Sequence, residues 1–129
     1  MKTDKSGIYV DLYTLIKHLK EIQYFIGKAE RIIYGTPSIA AAEKAMADFV
    51  MAYNFPDERD YYIRKLCADV EVMKAEVRIL VECASINCKV GEDGVKTPVV
   101  MIYEYIGRID EGVTKYRSSA YAKGKTGGV

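Results

Sequence analysis

Apolar side chains recur along this chain at alternating intervals of three and four residues, and they do so in four separate stretches. Leu12, Leu15, Leu19, Ile22 and Ile26 form the first stripe, and Ile39, Ala42, Met46, Phe49 and Tyr53 the second. The third runs through Ile63, Leu66, Val70, Met73, Val77, Leu80 and Ala84, and the fourth through Val99, Ile102, Ile106, Ile109, Val113 and Tyr116. A mean spacing near 3.5 keeps an apolar seam facing a neighbouring helix at a shallow crossing angle. Four seams joined by short links predict an all-α fold, an antiparallel up-down-up-down four-helix bundle.

Punctuation between the stripes sets the expected boundaries. Helix one should start near residue 9 and reach about residue 27, with an extension or break through residues 28–34. Gly35 is expected to close it in the left-handed conformation. Thr36-Pro37 then offers a capping hydroxyl and a proline at the first helical position. Helix two should end at Asn54, and Phe55-Pro56-Asp57 should introduce helix three, with Asp57 as a cap. Residues 85–96 read as a polar loop with a turn at Asp93-Gly94. Thr97-Pro98 repeats the start signal for helix four, which is expected to fray beyond Arg117. Gly107 and Gly112 in that helix suit close packing or flexibility. The domain assignment is therefore a bundle over residues 1–118 and a flexible basic tail over residues 119–129.

The chain has 129 residues, half of them hydrophobic and 29% charged, the balance of one globular domain. No apolar run approaches the roughly 20 residues that cross a bilayer, and the amino terminus lacks a signal-peptide pattern. With Cys67, Cys83 and Cys88 unable to pair completely and no CxxC among them, free thiols and a cytoplasmic location are expected. His18 is the single histidine, on the edge of the first seam, and reads as a structural imidazole. Glu71, Glu76, Glu82, Glu104 and Glu111 avoid the seams, and the Glu-x-x-His motif of carboxylate metal bundles does not occur. No catalytic residue, metal ligand or cofactor is assigned, and the chain is not expected to be an enzyme.

Charge is nearly balanced overall, at +1, but it is unevenly placed. Lys17, Lys20, Tyr24, Lys28 and Arg31 fall opposite the first seam if that helix persists. Lys115, Arg117, Lys123 and Lys125 follow at the other end of the chain, with no acid from residue 115 onward. These eight cations are the candidate nucleic-acid-binding residues, since phosphate backbones are drawn to arrayed positive charge. Eleven tyrosines and no tryptophan exceed what one small core absorbs, and a homo-oligomer would account for the excess.

Four segments carry a resemblance: Gly7-Ile8-Tyr9-Val10-Asp11-Leu12-Tyr13-Thr14-Leu15-Ile16, the Tyr34-Gly35 hinge, the Phe49 to Asn54 end of helix two, and Val70-Glu71-Val72-Met73-Lys74-Ala75-Glu76-Val77-Arg78-Ile79-Leu80 with its Glu-x-x-Lys-x-x-x-Arg pattern. Together with the order of helices, from about Gly7 to Ser119, they resemble a small bacterial four-helix-bundle family. It includes proteins encoded in 23S rRNA intervening sequences and the accessory variability proteins of diversity-generating retroelements. The resemblance implies a non-catalytic protein that assembles as a pentamer and binds a reverse transcriptase and its template RNA during mutagenic retrohoming. The alternative is a protein-interaction module of the same fold with no nucleic-acid role.

Overall fold

The computed structural model describes residues 6–84 and 97–127, with side chains up to residue 120. Four long helices account for most of it: α1 (Gly7–Ile22), α2 (Thr36–Asn54), α3 (Arg59–Cys83) and α4 (Pro98–Gly127). No strand occurs among the described residues. The all-α four-helix bundle expected from the seams is the observed fold. The expected loop over residues 85–96, including Cys88 and Asp93-Gly94, lies outside the described residues.

The large aliphatic positions behave as their spacing requires. Leu12, Leu15, Leu19 and Ile22 of α1, Ile63 to Leu80 of the α3 stripe, and Val99 to Val113 of α4 are all buried, while Ile26, Ala84 and Tyr116 sit at the margin. Each buried aliphatic side chain contributes about 1.5–3 kcal/mol by leaving water. The α2 seam is rotated from its expected setting. Ala42 and Phe49 are buried as expected, but Ile39, Met46 and Tyr53 are only partly covered, and Ser38, Ala45, Asp48 and Ala52 fill the inner face. Small side chains there let α2 and α3 approach closely, so the shared surface selects size as well as hydrophobicity.

Contacts across α2 and α3 run in opposite order along the two helices. The Ser38 hydroxyl lies 2.8 Å from the Tyr34 carbonyl one turn earlier and 3.0 Å from the Glu76 carbonyl of α3. Further along, Lys44 pairs with Asp69 and Lys65 with Asp48. At the linker, Arg59 Nε donates to the Ala52 carbonyl at 3.1 Å. Helices α1 and α4 are likewise antiparallel, because Ile8 lies against Gly112 and Asp11 lies 3.4 Å from Arg108. A Cβ on Gly112 would stand 3.1 Å from Ile8 Cγ1, so that glycine serves close packing, whereas Gly107 faces open space.

Three boundaries differ from expectation. Helix α1 ends at Ile22 and passes through a 3₁₀ turn (Gln23–Phe25) into extended backbone at Ile26. A single helical turn (Lys28–Glu30) and a π-helical turn (Arg31–Gly35) then lead straight into α2. Gly35 is consequently right-handed, at φ −70° and ψ −53°, and terminates nothing. It is a glycine because a Cβ would collide with the Gln23 side-chain amide, whose Nε2 donates to the Leu19 carbonyl at 2.8 Å. Thr36 is not a cap either, since its hydroxyl donates back to the Arg31 carbonyl. At the start of α3, Pro56–Glu58 forms a 3₁₀ turn and Glu58, not Asp57, occupies the cap position without a side-chain bond. Thr97 does accept from the Val100 amide, at 3.4 Å, as a cap should.

Helix α4 continues to Gly127, past the boundary at residue 118 drawn from the sequence. Ser118-Ser119-Ala120-Tyr121-Ala122 contains no glycine or proline, so the backbone meets no breaker before Gly124. Among the described residues, no helix is long and apolar enough to cross a membrane.

Candidate functional site

The expected stripe of cations on one continuous helix does not form. Lys17 and Lys20 are exposed on α1, and the Lys17 ammonium lies 5.9 Å from the centre of the Tyr13 ring. Lys20 stands at the edge of a shallow groove of ≈ 560 Å³ between α1 and α2, lined also by Tyr9, Tyr13, Ile16, Glu43 and Met46. The 3₁₀ turn and the extended Ile26 then reset the helical phase, so Lys28 and Arg31 belong to the junction between α1 and α2, where both are exposed.

At the other end of the chain, Lys115 and Arg117 are exposed on α4 and differ in surroundings. Lys115 Nζ is 2.9 Å from Glu111 Oε1 one turn earlier. Arg117 borders a cavity of ≈ 250 Å³ between α3 and α4, beside Cys67, Glu71, Asp110 and Thr114. Lys123 and Lys125 lie on the helical backbone of α4, beyond the described side chains. Because Ile8 packs against Gly112, Lys115 and Arg117 fall near the start of α1 and Lys20 near its end. From residue 8 to residue 20 the helical rise is roughly 18 Å. The two basic groups are separate surfaces at opposite ends of α1.

Pairing divides the basic side chains, although Lys115 is paired and Arg59 binds only a carbonyl. Lys44, Arg64, Lys65, Lys74, Arg78 and Arg108 each lie within 4 Å of a carboxylate. Among the described residues, Lys20, Lys28, Arg31 and Arg117 have no such partner, and Lys17 has only the Tyr13 ring. Unpaired charge stays available to an external anion, while paired charge is largely neutralised locally.

The junction also exposes large apolar side chains, of which sequence reasoning had placed only Tyr24 outward. Tyr24 is 85% exposed, Phe25 80%, Ile32 61% and Ile33 59%, all within the segment that carries Lys28 and Arg31. Large apolar groups left in water side by side are the mark of an interaction surface. Their signal in the sequence was the run Arg31-Ile32-Ile33-Tyr34, whose apolar positions do not continue the α1 seam once the helix breaks.

Inside the bundle lies an acidic pair that no seam pattern reveals. Asp48 of α2 is 4% exposed, and the Asp69 carboxyl on α3 is its acidic neighbour across the seam. Neither Oδ2 has a hydrogen-bond partner. Lys65 Nζ lies 3.7 Å from Asp48 Oδ1 and Lys44 Nζ lies 3.5 Å from Asp69 Oδ1. Burial raises the Asp48 carboxyl from 3.8 to about 7, Asp69 pushes the same way, and Lys65 and Lys44 oppose it. Nearer α4, desolvation also raises Asp11, countered by Arg108. His18 is half-buried beside the Tyr105 ring at 5.7 Å, with its Nδ1 3.6 Å from Glu21.

Fold and surface together define the class: an all-α four-helix bundle with unpaired cations and exposed aromatics at the α1–α2 junction. No family model matches the chain, and comparison with curated proteins and with solved structures returns no match.

Proposed function

We propose that this protein is a non-catalytic accessory protein that self-associates and presents its unpaired cations to structured RNA and to a reverse transcriptase acting on that RNA. The observation that carries this reading is the division of the basic side chains. Lys44 on α2 and Arg64, Lys65, Lys74 and Arg78 on α3 lie against neighbouring carboxylates and Arg59 is tied to the Ala52 carbonyl, whereas Lys20, Lys28, Arg31 and Arg117 have no carboxylate partner among the described residues. A small number of phosphate contacts per chain is weak on its own, and identical surfaces arrayed around an axis multiply it. The resemblance to accessory variability proteins of diversity-generating retroelements supplies the partner and the pentamer as the first assembly to test.

The experiment combines light scattering at micromolar concentration with fluorescence anisotropy on a structured RNA, with and without a cognate reverse transcriptase. A stable oligomer is expected, with affinity that falls as salt rises at about 0.7–0.9 logarithmic units per phosphate contact. A single-chain mass at all dilutions would remove the multiplied-surface argument. Absence of RNA binding at low salt in both arms would leave a protein-interaction module, the reading that the exposed Tyr24, Phe25, Ile32 and Ile33 favour.

A further inference from the structure

We propose that Asp48 and Asp69 share one proton across the α2–α3 seam, and that loss of this proton loosens the seam, so the packing of these two helices acts as a pH-sensitive latch. The geometry requires the proton. Two buried carboxyl oxygens, Asp48 Oδ2 and Asp69 Oδ2, have no hydrogen-bond partner, and two neighbouring carboxylates supply no donor unless one of them is protonated. One protonated carboxyl converts the contact into a charge-assisted hydrogen bond, the strong kind. Elsewhere the seam is tied by the Ser38 hydroxyl at one end and Arg59 at the other, so this pair is the polar link at its middle.

The charged groups that face Asp48 are Lys44 from its own helix and Asp69 and Lys65 from α3; among the described residues no charged group of α1 or α4 bears on it. The two ammoniums keep the ionised pair from expelling itself, but both reach out into water, with side chains 62% and 41% exposed, and their compensation is screened. Hence the seam should loosen and the bundle persist.

The sign follows from the raised acid. Below about pH 4, Asp48 holds its proton in the folded and the unfolded chain alike. Between about 4 and 7 the unfolded chain gives up this proton and the folded chain keeps it, so the contribution to stability declines as pH rises through that window and levels off above it. Asp48→Asn replaces the protonated acid by an amide that donates to Asp69 at every pH.

The test uses the full chain in two measurements. Carboxyl ¹³C NMR of the wild type should show Asp48 titrating near neutrality. Thermal melts from pH 5 to pH 8 should show the wild type losing about 5–10 °C in Tm relative to Asp48→Asn over the same range. Amide exchange along Ala45–Ala52, corrected for its intrinsic pH dependence, should quicken over the same interval in the wild type. An Asp48 midpoint near 4 overturns the proposal even if Asp48→Asn fails to fold. Parallel pH slopes for the two proteins overturn it as well.

Discussion

Phe49→Ala probes whether α2 and α4 meet as the structure has them. Phe49 is 1% exposed, its ring centre is 5.5 Å from that of Tyr116 on α4 in an edge-on arrangement, and it lies 5.7 Å from that of Tyr53 on its own helix. Truncating a fully buried phenylalanine costs about 3–5 kcal/mol through lost transfer energy and the cavity left behind. Of this, about 0.5–1.5 kcal/mol belongs to each aromatic pair. A chain of this length unfolds with an entropy of about 0.27 kcal/mol/K, so a loss of about 4 kcal/mol lowers Tm by about 15 °C. Urea unfolding followed by circular dichroism measures the loss directly, and a double-mutant cycle with Tyr116→Ala isolates the contact between helices. The cycle should return a coupling of about 0.5–1.5 kcal/mol. A loss below about 1 kcal/mol for Phe49→Ala, or zero coupling to Tyr116, would refute the docking of the Tyr116 turn of α4 on α2.

Val77→Asp places an unpaired carboxylate at a fully buried position on α3 and should cost several kcal/mol; an unchanged Tm would contradict the orientation of that helix. Gly35→Ala should lose about 1 kcal/mol by displacing the Gln23 amide from the Leu19 carbonyl, whereas in a Gln23→Ala background the same change should stabilise by about 0.5–1 kcal/mol, and equal effects in both backgrounds would remove the proposed collision. Lys28→Gln with Arg31→Gln should weaken RNA binding with little change in Tm, since both side chains are exposed and unpaired. By the same reasoning Arg117→Gln should weaken it more than Lys115→Gln, whose charge Glu111 already offsets; the reverse order in an anisotropy titration would count against pairing as the deciding factor.

Three of the four seams were legible before any coordinates. On α1, α3 and α4 the inner positions are large aliphatic residues at heptad spacing, and a helix that carries such a stripe has one way to remove it from water. Proline and threonine before α4 were equally readable, because a cap depends on atoms a few residues apart. The α2 face was not, since Ser38, Ala45 and Ala52 are buried for their small size, and small size matters only when a particular neighbour comes close.

The remaining features depend on partners distant in the chain. Gly35 reads as a helix stop, yet the space its side chain would fill is taken by Gln23, twelve residues earlier. Lys28 and Arg31 were placed on a continuous α1, and a short excursion at Ile26 rotated them away from Lys17 and Lys20 and left Tyr24, Phe25, Ile32 and Ile33 in water. Asp48 and Asp69 look like two ordinary surface acids in sequence. Their burial against one another follows from the register of α2 on α3, in which Ser38 meets Glu76 and Lys44 meets Asp69. Periodicity reports which face of a helix seeks cover; which side chain of another helix stands opposite, and at what distance, is decided only when the helices pack.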